Sequence, residues 1–297
     1  MTPTTATLTL SLARSGGVAL GLSLSTGPSM VPGVGSSAGT STAAGGGAAR
    51  WAAAGLAGGT STAAGGGRAT GPAVVAAAIL ARSPIAYWKL DETSGAVAAD
   101  SSGNGRNGAY SASGLTLGGS FAPFVAPTFD GTNGIVNLYS VSIVGVTPTA
   151  TGSIVLFARA GDTASRAAIL IGSGSQPVEQ IRIARTGVAL RTGERNDLGG
   201  AKVATESAAL TVDLWEPLAL TWGAGVIRLY RNGVEVATGS GTFNPWFGGP
   251  STSRWVVGGI ATNSTANRWL GQIAHVALFS TVLSAADIAA IYAASGL

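Results

Sequence analysis

Apolar and polar residues alternate most cleanly between Asp213 and Ala237, DLWEPLALTWGAGVIRLYRNGVEVA. Leu218, Leu220 and Trp222 fall on one face of a first strand, and Ile227 and Leu229 alternate with Arg228 and Tyr230 in a second. The second strand turns at Arg231-Asn232-Gly233 into Val234-Glu235-Val236. Asn and Gly tolerate the positive φ that a tight primed turn demands, so the pattern predicts antiparallel hairpins and a β-sheet core.

The segment opening at Pro84 reads as an edge strand with Tyr87 and Trp88 on opposite faces, followed by a Gly/Asn/Asp loop from Ala99 to Gly108. Short strands are expected at Ser153–Arg159, Ala167–Gly172, Gln180–Ala184 and Gly187–Arg191. IVLFAR and AAILIG are almost continuously apolar, as expected where two stacked sheets bury an inner face. Near the C-terminus Ser284 reads as a helix N-cap with Asp287 at N3, which puts Ile288, Ile291 and Tyr292 on one buried side. About a dozen strands with short connections make an all-β, two-sheet antiparallel sandwich, with Trp88, Trp215, Trp222 and Phe129 in its core.

The N-terminal region differs. Residues 1–83 carry four charged side chains, Arg14, Arg50, Arg68 and Arg82, and every acid lies after Pro84. Residues 1–26 pattern as a hairpin, ATLTLSL against VALGLSLS. Two strands alone are marginal in water, so this pair needs a surface to lie against. Residues 27–83 read as a Gly/Ala/Ser/Thr arm or linker in which GTSTAAGGG occurs twice, at Gly39–Gly47 and Gly59–Gly67. Such a segment cannot repay its ordering entropy from its own contacts. Trp51 and Leu56, with Arg50 and Arg68 beside them, are the groups by which it could dock onto other subunits.

Charge narrows the chemistry. The net charge of +4 comes from only 10% charged residues, and the arginines are scattered singly along the chain, which argues against a nucleic-acid surface. With no Cys the chain cannot build a thiolate site or a Cys-ligated zinc, and with a single His, His275, it cannot build a His-based metal cluster. The most apolar run, AVVAAAILA from Ala73 to Ala81, falls short of the roughly 20 residues of a membrane span. MTPTTATLTLSL lacks the basic start and apolar stretch of a secretory leader, so export is expected by another route.

Several motifs resemble the laminin-G-like, concanavalin-A-like jelly rolls over residues 84–297. They are the entry TyrTrpLysLeuAspGlu from Tyr87, the AspSerSerGlyAsnGly loop from Asp100, PheAspGlyThrAsnGly from Phe129, the Trp222 hairpin, and the closing segments at Trp255–Gly259, Leu270–Ile273 and Val276–Phe279. The resemblance implies a calcium site with oxygen ligands from the first loop, here Asp100 and Asn104. Where the family commonly places acids on the closing strand, this chain has Ala274 and His275, which removes two donors. Relatives often bind sugars through rim loops, and Phe243, Asn244, Trp246 and Phe247 form the candidate loop here.

Catalysis is not expected. Glycoside hydrolysis needs two carboxylates about 5–10 Å apart, and the Glu-x-Asp-x-x-Glu spacing of glucanase relatives is missing. Glu194 and Asp197 read as solvated charges in a Gly-rich turn. The leading expectation is a structural and adhesive component of a bacteriophage virion, as a capsid decoration or tail-fibre subunit. Residues 1–83 would meet other virion subunits in a homo-oligomer, and the jelly roll would face outward toward a surface or glycan. The alternatives are a bacterial cell-surface or secreted lectin-like module on a stalk, and a monomeric calcium-dependent glycan receptor.

Overall fold

The structure, a computed structural model, describes residues 69–139, 143, 150–173, 179–187, 190–197, 200–208, 211–242 and 250–297. The expected N-terminal hairpin, the repeated GTSTAAGGG segments, and Arg50, Trp51, Leu56 and Arg68 lie outside these residues. So do Phe243, Asn244, Trp246 and Phe247.

Residues Ala69–Leu297 form one compact unit. It opens with helix α1 (Pro72–Leu80) and continues through β1 (Ala86–Trp88), β2 (Val97–Ala98), β3 (Gly108–Tyr110), β4 (Leu115–Phe121), β5 (Phe124–Asp130) and β6 (Val136–Asn137). Then come β7 (Gly152–Ala160), β8 (Arg166–Ser173), β9 (Gln180–Thr186), β10 (Leu190–Asp197), β11 (Gly200–Glu206), β12 (Trp215–Gly223), β13 (Val226–Arg231) and β14 (Val234–Ser240). β15 (Pro250–Val257), β16 (Leu270–Phe279) and helix α2 (Ala285–Ser295) close the chain.

The strands make two antiparallel sheets. One runs β14-β13-β12-β7-β16-β5-β4, with β1 added beside β16, and the other runs β11-β10-β9-β8-β15-β6-β3-β2. Between them lies a core of Trp88, Phe129, Leu156, Ile183, Leu220, Trp222 and Trp255 with their neighbours. The expected hairpin forms as read: Leu220 pairs with Leu229, and Asn232 and Gly233 turn at φ 51° and 79°. Trp88 enters the inter-sheet core while Tyr87 faces the other way, as the alternation predicts.

A second apolar layer covers the outer face of the first sheet. Val155 and Phe157 of β7, Ala219 of β12, and Ala274, Ala277 and Phe279 of β16 pack under Val75 and Ile79 of α1 and Ile288 and Ile291 of α2. This is why IVLFAR is continuously apolar: β7 is buried on both sides, by the facing sheet and by the helices. The two helices are antiparallel. Gly71 N–H donates to Ala294 C=O at one end, and Arg82 Nε meets Asp287 Oδ1 at 2.9 Å at the other.

Three sequence expectations need correcting. Residues 72–83 were expected in the arm, yet Pro72–Leu80 is a helix with Val75 and Ile79 fully buried. Pro72 in the first turn, where its missing N–H costs no hydrogen bond, is the start signal. Glu194 and Asp197 were expected in a turn, and the expected strand Gly187–Arg191 starts too early. Gly187 is the turn, and β10 runs Leu190–Asp197 in full register with β9 and β11. Gly193 is a packing glycine, because a Cβ there would sit 2.1 Å from Leu220 Cδ1 of the facing sheet.

Candidate functional site

The Asp100 loop is braced from within. Asp100 Oδ1 accepts the N–H groups of Tyr87 and Ser102 at 2.9 Å each, and Oδ2 accepts that of Arg106 at 2.8 Å. Burial works against the carboxylate, but these donors and Ser102 outweigh it and hold the pKa of Asp100 below the usual range. Asn104 Nδ2 donates to the carbonyls of Pro84 and Ile85. Both side chains thus pin the loop to the entry strand. No cluster of three or more His, Cys, Asp or Glu suited to a metal occurs among the described residues.

The closing-strand positions where the resemblance implies acids are also enclosed. β16 carries a bulge between Ala274 and Ala277, where His275 adopts φ 52°. The extra residue turns both Ala274 and His275 toward the layer beneath the helices. His275 is 4% exposed, its ring meets those of Phe124 and Phe157 edge-on, and its Nδ1 lies 2.5 Å from the Tyr87 hydroxyl. Burial pushes the tyrosine pKa up and the histidine pKa down to about 4. The hydroxyl keeps its proton and is the donor to a neutral imidazole.

A different part of the molecule gathers polar side chains around a cavity. On β9, Ile181 and Ile183 face the core, so period-2 alternation turns Arg182 and Ala184 to the outer face of the second sheet. Arg182, Ala184, Arg185 and Thr186 of β9, Arg166 and Ala167 of β8, and Ser165, Ile260 and Asn267 line an open cavity of about 240 Å³. Ile260 also packs on Ile135, Leu170 and Val256, so an apolar patch adjoins the guanidinium groups.

Arg166 and Arg185 share one carboxylate, that of Asp162. Arg166 Nη1 also donates to Arg268 C=O at 2.6 Å and Gly131 C=O at 3.1 Å. Arg185 is 3% exposed and lies over the Trp269 ring, 5.3 Å from its centroid. Burial alone would raise the Asp162 carboxyl, but hydrogen bonds from Arg166 and Ala164 and the charges of Arg166 and Arg185 outweigh it and hold its pKa low. Arg268 lies nearby, also 3% exposed; its guanidinium donates from Nη2 to Thr262 C=O at 3.3 Å. Burial lowers the pKa of both Arg185 and Arg268, with Asp162 and Asp130 respectively offsetting part of the effect. Reading along the chain missed this site, because Arg166, Arg182, Arg185 and Arg268 are isolated in sequence and adjacent only across strands.

No curated protein sequence matches the chain. Among solved structures, Trypanosoma rangeli sialidase in complex with sialic acid matches at a TM-score of 0.55 and 10% identity, over 72% of this chain and 33% of that one. The botulinum neurotoxin serotype D binding domain matches at 0.53 and 16%, over 71% of this chain and 52% of that one. The chain thus spans a third to a half of these relatives, and at such identities the likeness is one of fold. Residues 130–289 match the family described as the concanavalin A-like lectin/glucanases superfamily. With two antiparallel sheets, a shared apolar core and more than half the sequence matched, the chain belongs to the concanavalin A-like lectin/glucanase superfamily.

Proposed function

We propose that this sandwich is a carbohydrate-binding module that holds its ligand without cleaving it. The observation that carries this reading is the cavity on the second sheet, where Arg166, Arg182, Arg185, Ser165, Thr186 and Asn267 offer hydrogen-bond partners for hydroxyl groups beside apolar Ile260. At about 240 Å³ it lies below the roughly 300–1,000 Å³ of pockets for drug-sized ligands, a size for one sugar unit with its chain running outward. Cleavage needs an acid and a base or nucleophile, and no carboxylic acid lines the cavity; neighbouring Asp162 is committed to two arginines.

The test is retention of the full chain on a glycan array, paired with a hydrolysis assay on each glycan retained. Binding without product release is expected, and Arg182→Ala should reduce it. Absence of glycan binding, or retention indifferent to every cavity substitution, would overturn the proposal.

The bacteriophage-particle half of the sequence expectation rests on the arm, whose residues 1–68 lie outside those described. Its test is limited proteolysis: an arm built into an assembly resists cleavage in the assembled particle, whereas a free stalk is nicked first.

A further inference from the structure

We infer that the sugar held in the cavity is acidic: its oxyanion substituent, a carboxylate or a sulfate ester, sits against the guanidinium groups of β8 and β9. The inference rests on the binding role proposed above and specifies its ligand class.

Arginines outnumber the acids in close contact with them. Arg166, Arg185 and Arg268 are joined by backbone or side-chain hydrogen bonds in one group, and among the described residues Asp162 is the one acid that any of them meets in an ion pair, while Asp130 and Glu216 act on Arg268 and Arg185 without one. Arg182 is the third arginine of the lining, beside Arg166 and Arg185, but the surplus stands without it. Two of the cations, Arg185 and Arg268, are 97% withdrawn from solvent, so water screens them poorly.

Buried N–H groups point the same way. Arg185 Nε, and Arg268 Nε and Nη1, lie in the interior with no acceptor among the described residues. Leaving such donors unmet costs their desolvation with no hydrogen bond in return, so folding alone has no reason to gather them. Arg185 is among the residues around the cavity, with Nη1 and Nη2 held by Asp162, and a planar guanidinium matches the two coplanar oxygens of a carboxylate. Arg268 lies under the loop that supplies Ile260 and Asn267, where its charge adds to the potential without touching the ligand.

The geometry also separates this class from a neutral sugar. Hydroxyl groups accept and donate, and a site for neutral sugars is served by a mixture of donors and acceptors. Guanidinium groups only donate, and three of the lining residues are arginines.

The test is calorimetric titration of the full chain with three oligosaccharides of equal length, one neutral, one bearing uronic acids and one bearing sulfate esters. The acidic ligands are expected to bind at least about tenfold more tightly than the neutral one, an advantage that shrinks as salt rises. A preference for uronic acid over sulfate identifies the planar carboxylate as the oxyanion, and the reverse preference identifies the sulfate. Arg182→Gln, on the outer face of β9, should cost an acidic ligand about tenfold and a neutral ligand clearly less, and an equal loss for both overturns the inference. Arg185→Gln serves as a second variant wherever its melting temperature stays at the parent value. Equal or tighter binding of the neutral oligosaccharide overturns the inference while leaving carbohydrate binding intact. Loss of binding to all three overturns both.

Discussion

His275 is the residue whose environment departs furthest from what its type suggests. Its pKa is about 4 when folded, against 6.5 for an unperturbed side chain. Between those values the unfolded chain holds more protons, so stability is complete above about pH 6.5 and falls as pH drops toward 4, by on the order of 3 kcal/mol. Urea midpoints measured near neutrality and at about pH 4.5 should differ for the parent chain and differ far less for His275→Gln, which can still accept from Tyr87. The carboxylates of Asp100, Asp130, Asp162 and Asp287 are all held below their usual range, so their contribution is lost only as pH falls below about 4, under the histidine window. Gly193 makes a second case. A methyl group there meets Leu220 Cδ1 in a filled core, so Gly193→Ala should cost about 1–3 kcal/mol by chemical denaturation although the residue lies in a strand. Neither effect is readable along the chain, since a lone His and a Gly among charged residues take their meaning from atoms on other strands.

Among the elements, α1 and α2 decide where the folded unit starts. α1 contributes Val75 and Ile79 to the layer over Tyr87, Phe157 and Phe279, and burying two such side chains stabilises by about 3–6 kcal/mol. A chain lacking residues 1–68 should melt cooperatively as the parent does, whereas one lacking residues 1–83 should lose several degrees and bind a hydrophobic dye; equal melting of the two would show that α1 is dispensable. At α2, Ser284 Oγ accepts from Asp287 N–H and Asp287 Oδ2 accepts from Ser284 N–H, a reciprocal cap that the order of residues predicts. Ser284→Ala should cost about 1 kcal/mol in urea denaturation. The cap was legible because it is local. α1 was not, because AVVAAAILA has apolar and small groups on every side and declares no face until a sheet and α2 bury one.

On the scale of the molecule, the sandwich has two unlike outer faces. The first sheet is covered by helices, and the start of α1 and the end of α2 meet there, Gly71 N–H on Ala294 C=O. The second sheet carries the arginine-lined cavity on its other side. A protein fused after Leu297 should therefore leave glycan binding unchanged, checked on the same array, and weakened binding would show that the two faces are not independent. Period-2 alternation, the Asn232-Gly233 turn and the Ser284 cap determined by themselves that this chain makes hairpins, a two-sheet core and a closing helix, because each depends on residues within a few positions of one another. Tertiary structure alone decided the rest: that Asp100 and Asn104 brace a loop, that β16 bulges at His275 to fill a second apolar layer, and that single arginines converge on one cavity. Those outcomes depend on which strands lie side by side, and pairing partners can be more than a hundred residues apart, as Arg159 and Gln272 are.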